Sequence, residues 1–492
     1  MGFTATIATF LEENKIVVAF LALLACPISS AIYNIYFHPL AQFPGPKLWT
    51  ASRLPFIYYL LTGQLVKKVK EFHDIYGKFY RLASDEVSFA SEQAWNDLYT
   101  FVADTSVLLR DKAWYIVLYN QANNLITMTD FKFHACVRGL MSNSFTDEAL
   151  RTQHPLIESH ADMLISKIRE AAEKPENSIR GARINITDWL NFFTMEIIGD
   201  LAFRAPFGCL EKGEYHHWVR TLFSYLKEII MEEQRQHSTY AEKMINRRLD
   251  TKSDRPDFMT PFMRNNINFE NVSREKIISK FNFIIVGGSE TSATVMTGIF
   301  NHLTKKKNKR ILNRLCNDIR TKFREGKDIT LDAIQSAPIT HLEAVINEGL
   351  RVCDPIPSGL PRVVPEGGDQ NCGIFLPGRT RLAVGTYAAN RSKNIFADPD
   401  EFVPERWLPK DQQPKKYAND QLSASKPFSV GFHSCLGRPL AWAEIRLAVT
   451  RLLWTFDFSV DAEDEVDFDE FPVIMIIRKA PMNLRAKIKP GI

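Results

Sequence analysis

The stretch Phe428-Ser-Val-Gly-Phe-His-Ser-Cys-Leu-Gly437 is the most informative part of this 492-residue chain. Its cysteine, Cys435, lies among glycines and just before a helix-like run that begins at Arg438. Free N–H groups and the positive dipole end at a helix start stabilise a thiolate, so we expect them to lower the pKa of Cys435. Glycines let the backbone approach a flat, bulky partner closely. The stretch therefore predicts a thiolate that faces such a partner.

The spacing of this stretch is specific. With 34 Phe, 23 Gly and 7 Cys in 492 residues, chance places Phe-x-x-Gly-x-x-x-Cys-x-Gly in roughly one such chain per thousand. A cysteine outside such a pattern is more often a small buried hydrophobe. Within the pattern, we interpret Cys435 as a ligand of haem iron, since thiolate ligation favours O–O bond cleavage.

The bulk composition excludes several classes of protein. A hydrophobic content of 45% is enough to bury a large core, and a net charge of +4 argues against a dedicated nucleic-acid binder. The seven cysteines are odd in number and lack any Cys-x-x-Cys spacing. We therefore expect a reducing compartment, with neither a zinc site nor a disulfide framework.

An uncharged run over 16–37 is long enough to cross a bilayer as a helix. A cleaved signal peptide is the alternative, but its apolar region is usually shorter and follows a basic segment that is missing here. The basic excess, Lys47 and Arg53 included, lies after the run, which predicts that the bulk of the chain faces the cytosol. We therefore predict a luminal tail over 1–15, a transmembrane helix over 16–37, a proline-rich hinge over 38–49 and one catalytic domain over 50–492.

This topology also predicts that the acceptor sequences for N-linked glycans go unmodified. They begin at Asn185, Asn271 and Asn390, and all three lie on the cytosolic side in this topology.

Apolar residues recur at intervals of three and four along most of the chain, which predicts a mainly α fold with small β-sheets. No repeat or linker divides the region from about 50 to 460. Helices are predicted over 64–76, 147–172, 186–203, 215–248, 273–303, 305–325, 339–352 and 438–456, and short strands over 79–82, 87–89, 379–384 and 473–477.

The predicted helix over 273–303 breaks local rules in its middle, at Gly287-Gly288-Ser-Glu290-Thr291. Each glycine costs about 1 kcal/mol in a helix interior, and a carboxylate on an apolar helix costs more unless it is paired or hydrated. Such violations are expected at functional sites. The Thr291 hydroxyl can bond the carbonyl four residues earlier, and Glu290 with Thr291 could relay protons. A kinked helix with a hydrated Glu290 remains the alternative.

Two other features point to a buried site. Phe281, Ile284, Gly288 and Thr291 share one helix face, which predicts an apolar pocket wall, although ordinary core packing explains Phe281 and Ile284 equally well. Glu348 and Arg351 lie one helical turn apart, a spacing that is also common on exposed surfaces.

Together these residues resemble the cytochrome P-450 family over nearly the whole chain. The resemblance implies the cytochrome P-450 fold behind the N-terminal helix, with haem b held in the signature from Phe428 to Gly437. Cys435 matches the axial ligand, and Gly288 matches the oxygen-binding groove. Glu290 and Thr291 match the acid–alcohol pair, and Glu348, Arg351 and Arg406 match a buried triad behind the haem.

The resemblance also implies contacts to the haem propionates from His134, Arg138, Arg362 and His433. His134 replaces the family's usual Trp and His433 its frequent Arg, so the charge of this region could depend on pH. We expect these departures to tune the redox potential modestly and to leave haem binding intact. By analogy with family substrate contacts, Leu360, Val473 and Ile474 are further walls of the apolar pocket.

The function implied is that of a monooxygenase anchored in the endoplasmic reticulum, acting on a hydrophobic terpenoid, polyketide or alkaloid. Only 57 residues follow Cys435, too few for a flavin domain, so electrons are expected from NADPH through a separate reductase that docks on the thiolate side. The two ends of the chain resemble the fungal secondary-metabolite branch, including trichothecene hydroxylases. The alternatives are a haem-thiolate isomerase, dehydratase or cyclase without net oxygenation, and a membrane-tethered haem or lipid binder without turnover.

Overall fold

Helices dominate the described part of the chain, which confirms the predicted fold class. The computed structural model describes residues 15–100, 108–115, 124–217, 231–251, 257–264 and 272–491. In chain order the helices are α1 (Lys15–Tyr36), α2 (Lys47–Ala51), α3 (Leu54–Leu61), α4 (Leu65–Tyr76), α5 (Glu92–Tyr99), α6 (Phe131–Ser142), α7 (Asp147–Arg151), α8 (His154–Ala172), α9 (Ile186–Phe203), α10 (Cys209–Lys212), α11 (Met231–Asp250), α12 (Met259–Arg264), α13 (Arg274–Thr304), α14 (Lys309–Lys322), α15 (Leu331–Ser336), α16 (Thr340–Val352), α17 (Thr386–Asn390) and α18 (Arg438–Thr455).

The strands are short and form small sheets. A five-stranded sheet has the order β1-β2-β8-β5-β3, a three-stranded sheet has the order β4-β12-β9, and two hairpins pair β6 with β7 and β10 with β11. Their bounds are β1 (Phe79–Ala83), β2 (Glu86–Phe89), β3 (Leu109–Arg110), β4 (Ala182–Asn185), β5 (Arg362–Val363), β6 (Asp369–Asn371), β7 (Ile374–Leu376), β8 (Arg381–Val384), β9 (Phe456–Ser459), β10 (Val473–Ile474), β11 (Ile476–Ile477) and β12 (Asn483–Ile488).

Two apolar clusters form the interior. The larger one, here the helical core, surrounds α13, which packs against α9, α16 and α18. The smaller one, here the sheet core, joins the five-stranded sheet to α2–α5. Among the described residues, one segment, Lys276–Thr304 within α13, is long and apolar enough to cross a membrane, and 67% of its most apolar window is buried inside the protein.

Three predicted elements differ from those observed. The helix predicted over 147–172 is divided into α7 and α8, because Pro155 opens α8 and lacks the N–H that would continue α7. The strand predicted over 473–477 is a hairpin whose tip, Met475, has a φ of 63°. The helix predicted over 215–248 includes 218–230, which lie outside the described residues; α11 begins at Met231.

The N-terminal region adjoins the sheet. Helix α1 begins at Lys15 and continues through Pro27, whereas 1–14 lie outside the described residues. In the segment predicted as a hinge, Leu40 is fully buried and the Pro44 carbonyl accepts a hydrogen bond from the Arg81 N–H at 2.8 Å. The Arg81 guanidinium also donates to the Asn34 carbonyl at 2.7 Å. These bonds fix the end of α1 relative to β1.

Candidate active site

The cysteine loop is held in one conformation by its own backbone. The Cys435 N–H donates to the Phe428 carbonyl at 2.9 Å, which closes the loop directly before α18. Gly431 has a φ of 71°, and a Cβ there would lie 2.0 Å from the Tyr99 carbonyl oxygen, so only glycine fits. The Cys435 side chain remains accessible. The loop therefore presents a thiol to a space within the fold.

The expected direction of the Cys435 pKa is wrong for the protein alone. Burial raises the pKa of this thiol above its usual value, and this outweighs the lowering by the Gly437 and Arg438 N–H groups and by the Arg138 charge. The helix start contributes in the predicted direction but is too weak to prevail. A coordinated metal cation would supply the missing charge, because a thiol that binds a metal is deprotonated.

Cationic side chains from both cores converge near the cysteine loop. Arg110 on β3 and Arg362 on β5 are direct partners in the antiparallel pairing. From α6, Arg138 donates to the Ser434 carbonyl at 2.8 Å. The sequence analysis missed Arg110, because neither a two-residue strand nor its partner can be recognised from local periodicity.

Two histidines lie within this cluster. The ring centres of His134 and His433 are 4.6 Å apart. Burial and the nearby arginines lower the pKa of His134 to about 3 and that of His433 to about 2. Both imidazoles are therefore neutral at pH 7 unless an anion joins them, so the expected charge change near neutrality does not occur in the protein alone.

The cluster fits the carboxylates of a haem. Burial, with a further contribution from Arg362 and Arg138, lowers the pKa of Arg110 to about 10, which indicates cations that repel one another. Among the described residues, neither ring nitrogen of His134, which is 1% exposed, makes a well-formed hydrogen bond. Two propionates would supply both the missing acceptors and the compensating charge. With the accessible thiol of Cys435, these residues suit an iron porphyrin.

The two adjacent glycines in the middle of α13, Gly287 and Gly288, have different roles. The Thr291 hydroxyl donates to the Gly287 carbonyl at 2.8 Å, as predicted. A Cβ on Gly288 would lie 2.6 Å from Cδ1 of Ile198, so Gly288 permits the close crossing of α13 and α9. The place of Gly288 in an oxygen-binding groove stays a prediction, and Gly287 is the glycine whose carbonyl bonds the Thr291 hydroxyl.

Glu290 forms a buried ion pair and is not hydrated. Its Oε1 lies 2.8 Å from Nζ of Lys479, and the two side chains are 8% and 3% exposed. Sequence reasoning missed Lys479, since a single lysine 189 residues away carries no local signal. The pair explains how a carboxylate is tolerated on this apolar helix.

The predicted triad forms one buried, charge-balanced cluster. Glu348 accepts from Arg351 at 2.7 and 2.9 Å and from Arg406 at 3.3 Å, and all three side chains have no exposed surface. Asp420, which sequence reasoning missed, is a second partner of Arg406. Burial alone would raise the pKa of Glu348, but Arg351 and Arg406 hold this pKa below its usual value.

The predicted pocket walls divide into two groups. Phe281 is fully buried in the helical core, so its assignment to the pocket is wrong and ordinary core packing is right. Ile284, Leu360 and Ile474 are half-buried and remain available to a ligand. Val473 is 6% exposed and lines a small cavity beside α4 and the end of α16.

Comparisons with known proteins agree with this geometry. A family profile described as cytochrome P-450 matches residues 44–232 and 214–484. The chain is 32% identical to cytochrome P-450 monooxygenase astJ of Aspergillus oryzae, over 92% of this chain and 93% of that protein. It is 33% identical to averantin hydroxylase of Dothistroma septosporum, over 90% and 85%, and 33% identical to cytochrome P-450 monooxygenase prhB of Penicillium brasilianum, over 92% and 94%.

Proposed function

Because this chain belongs to the cytochrome P-450 family, and is therefore a haem-thiolate monooxygenase similar to those of fungal secondary metabolism, we propose that it hydroxylates an apolar small molecule. The family's cofactor is haem b, and its electrons come from a separate reductase. The observation that carries the proposal is the Glu290–Thr291 pair, kept intact on a helix that packs against the helix following Cys435. The likeness to trichothecene hydroxylases stays a prediction.

Each part of the cofactor has residues suited to it. Cys435 would hold the iron, while Arg110, Arg138, Arg362 and the two histidines would bind the propionates. When bound, the haem supplies the chemistry that splits O2 and places one oxygen atom in the substrate. The triad of Glu348, Arg351 and Arg406 contributes stability and makes no contact with the reacting atoms.

The proton supply is proposed to run through α13. The Thr291 hydroxyl, held by the Gly287 carbonyl, is placed to pass a proton on and to recover one from Glu290. Glu290 lies buried beside Lys479, and its carboxylate would take up a proton from solvent before it passes one to Thr291.

The proposed substrate is apolar, because the candidate walls offer few polar groups. Ile284, Leu360 and Ile474 are aliphatic and half-buried. A related protein is named for hydroxylating averantin, which supports hydroxylation of a small molecule by this chain. A terpenoid, polyketide or alkaloid skeleton would satisfy these walls equally.

We place the enzyme on the cytosolic face of the endoplasmic reticulum membrane, anchored by α1. Apolar side chains near the end of α1 are exposed, with Ile28 57%, Ile32 47% and Tyr36 65% accessible. Leu54 and Tyr58 on α3 are 72% and 63% exposed. Exposed apolar surface of this extent indicates contact with lipid.

The test of the proton supply is Thr291→Ala. We expect the product formed per NADPH consumed to fall about tenfold or more, because a positioned proton donor contributes at least that much to rate. Thr304→Ala is the matched control, since Thr304 makes the same bond to a carbonyl four residues earlier, at the end of α13. Unchanged coupling in Thr291→Ala would refute the role given to Thr291.

Product analysis separates the alternatives. Membranes that contain the enzyme and its reductase are fed candidate fungal intermediates under isotopically labelled O2. A gain of one labelled oxygen atom supports hydroxylation. A product without label supports an isomerase, dehydratase or cyclase. If no candidate substrate is converted and none changes the rate of NADPH consumption, the protein is a haem binder.

A further inference from the structure

Lys479 is a buried cation that pairs with Glu290 and contacts two residues beside it. Its Nζ lies 2.8 Å from Glu290 Oε1, 3.0 Å from Asn191 Oδ1 and 3.0 Å from Thr294 Oγ1. The Thr294 hydroxyl itself donates to the Glu290 carbonyl at 2.7 Å. A buried ammonium is costly unless it is paired and hydrogen-bonded, and these contacts meet both needs.

A second layer fixes the orientation of Asn191. Its Nδ2 donates to the Tyr215 hydroxyl at 2.9 Å, and that hydroxyl donates to Asp188 Oδ1 at 2.7 Å. Burial and the Asp188 charge raise the pKa of Tyr215, so the phenol stays protonated and remains the donor. With its amide nitrogen occupied in this way, Asn191 must turn its oxygen toward Lys479.

The two oxygens of Glu290 have unequal environments. Oε1 is held by Lys479, whereas Oε2 is buried and lacks a hydrogen-bond partner among the described residues. A buried carboxylate oxygen without a partner is unusual and calls for a role. It belongs to the residue directly before Thr291.

We propose that Lys479 is a positioning residue that keeps Glu290 ionised and leaves Oε2 as the oxygen that exchanges protons with the reacting side. A chain of hydrogen bonds from Asp188 through Tyr215 to Asn191 holds Lys479 in place. The inference rests on the proposed function of Glu290 and Thr291 and deepens it. Among the described residues, Lys479 after β11 pairs with Glu290, Tyr215 after α10 interacts with it electrostatically, and Asp188 on α9 accepts a hydrogen bond from Tyr215.

The test is infrared spectroscopy of the haem-loaded enzyme at pH 7, which needs no substrate. In the wild type we expect Glu290 to be a carboxylate. The carboxylic-acid C=O bands of the wild type and of Glu290→Gln should therefore be the same. In Lys479→Met, a buried carboxyl without its cation takes up a proton, so one such band appears and Lys479→Met/Glu290→Gln abolishes it. Lys479→Arg keeps the charge and is expected to show no band.

Further variants secure the result. Lys479→Gln keeps polar contacts to Asn191 and Thr294 and carries the test if Lys479→Met does not fold. Lys305→Met is the matched control, because Lys305 pairs at 2.8 Å with Asp467, whose side chain is 51% exposed and stays ionised without it. A Glu290 band in the wild type, or none in either neutral variant, would overturn the inference.

The proton relay of the proposed function and the ion-pair role of Lys479 can be refuted independently. A Glu290 band in Lys479→Met together with unchanged coupling in Thr291→Ala would keep the ion-pair role and remove the proton relay. If both hold, Lys479→Met lowers product per NADPH about as far as Thr291→Ala does, and Lys479→Arg restores most of it.

Discussion

At the scale of single residues, buried charge is the feature that defines this molecule. The arginines Arg81, Arg351, Arg362 and Arg406 are among its largest fully buried side chains. Arg351 and Arg406 are balanced by carboxylates, whereas Arg362 lies in the cationic cluster of the candidate active site. Balanced charge stabilises the fold, and the unbalanced charge is suited to an anionic ligand.

Glu348→Gln tests the balanced cluster. The change leaves Arg351 and Arg406 buried with too little negative charge, so we expect unfolding free energy to fall by about 3–5 kcal/mol. Chemical denaturation of the haem-loaded enzyme measures the loss. Glu470→Gln is the control, because Glu470 pairs with Lys67 at the surface and is 76% exposed. We expect its unfolding free energy to change by less than about 1 kcal/mol. Equal stability of the two variants would contradict the triad's structural role.

Arg110→Gln tests the unbalanced cluster. Losing one charged contact to a propionate is expected to weaken haem retention by about 1.5–3 kcal/mol, which is at least a tenfold faster release. Transfer of haem to an excess of apomyoglobin measures this rate. Arg379→Gln removes an exposed arginine paired with Glu366 and should leave the rate unchanged. Unaltered release in Arg110→Gln would place Arg110 outside the haem contacts.

At the scale of elements, the cysteine loop depends on how closely it approaches α5. Gly431 combines a left-handed backbone with contact to the Tyr99 carbonyl, so the loop and the end of α5 fix each other's position. Tyr99 also donates to the Leu360 carbonyl at 3.0 Å and lies under the Arg362 guanidinium. The loop, α5 and β5 therefore form one connected support for the candidate haem site.

Gly431→Ala is expected to displace this support. Its Cβ would meet a backbone oxygen that cannot move aside, so the spectrum of the thiolate-ligated haem with carbon monoxide should be lost or shifted. Gly373→Ala is the matched control, since its φ of 77° is similar but nothing lies within 4 Å of its Cβ. The control should cost about 1–2 kcal/mol of stability and leave the spectrum intact. A normal spectrum in Gly431→Ala would contradict the fit.

At the scale of the whole molecule, the candidate site lies where the two cores meet. Phe428 and Leu436 of the cysteine loop pack against the helical core, whereas Val430 packs against the sheet core. Arg138 comes from the helical side and Arg110 from the sheet side. The site is therefore complete only when both cores are folded and joined.

The orientation of the whole chain is tested by protease treatment of sealed microsomes. We expect the catalytic domain to be digested without detergent, because the basic residues after α1 favour a cytosolic location for it. A luminal protein in the same vesicles should stay intact until detergent is added. If the catalytic domain is protected together with that luminal protein, the predicted orientation is wrong. Glycan analysis is less decisive, since Asn390 is 2% exposed and Asn185 is hydrogen-bonded to Asp188.

Local patterns along the chain predicted the fold class, the family, the cofactor and most long helices, because these depend on periodicity and on motifs that are continuous in sequence. Cys435, Thr291 and the Glu348–Arg351 pair all lie within such motifs. The folded chain was needed to find that Gly288 packs against Ile198, that Phe281 is core, and that burial outweighs the helix start at Cys435. It alone brought Arg110, Asp420 and Lys479 to their partners. Packing, burial and charge pairing join residues far apart in the chain, and no local pattern records them.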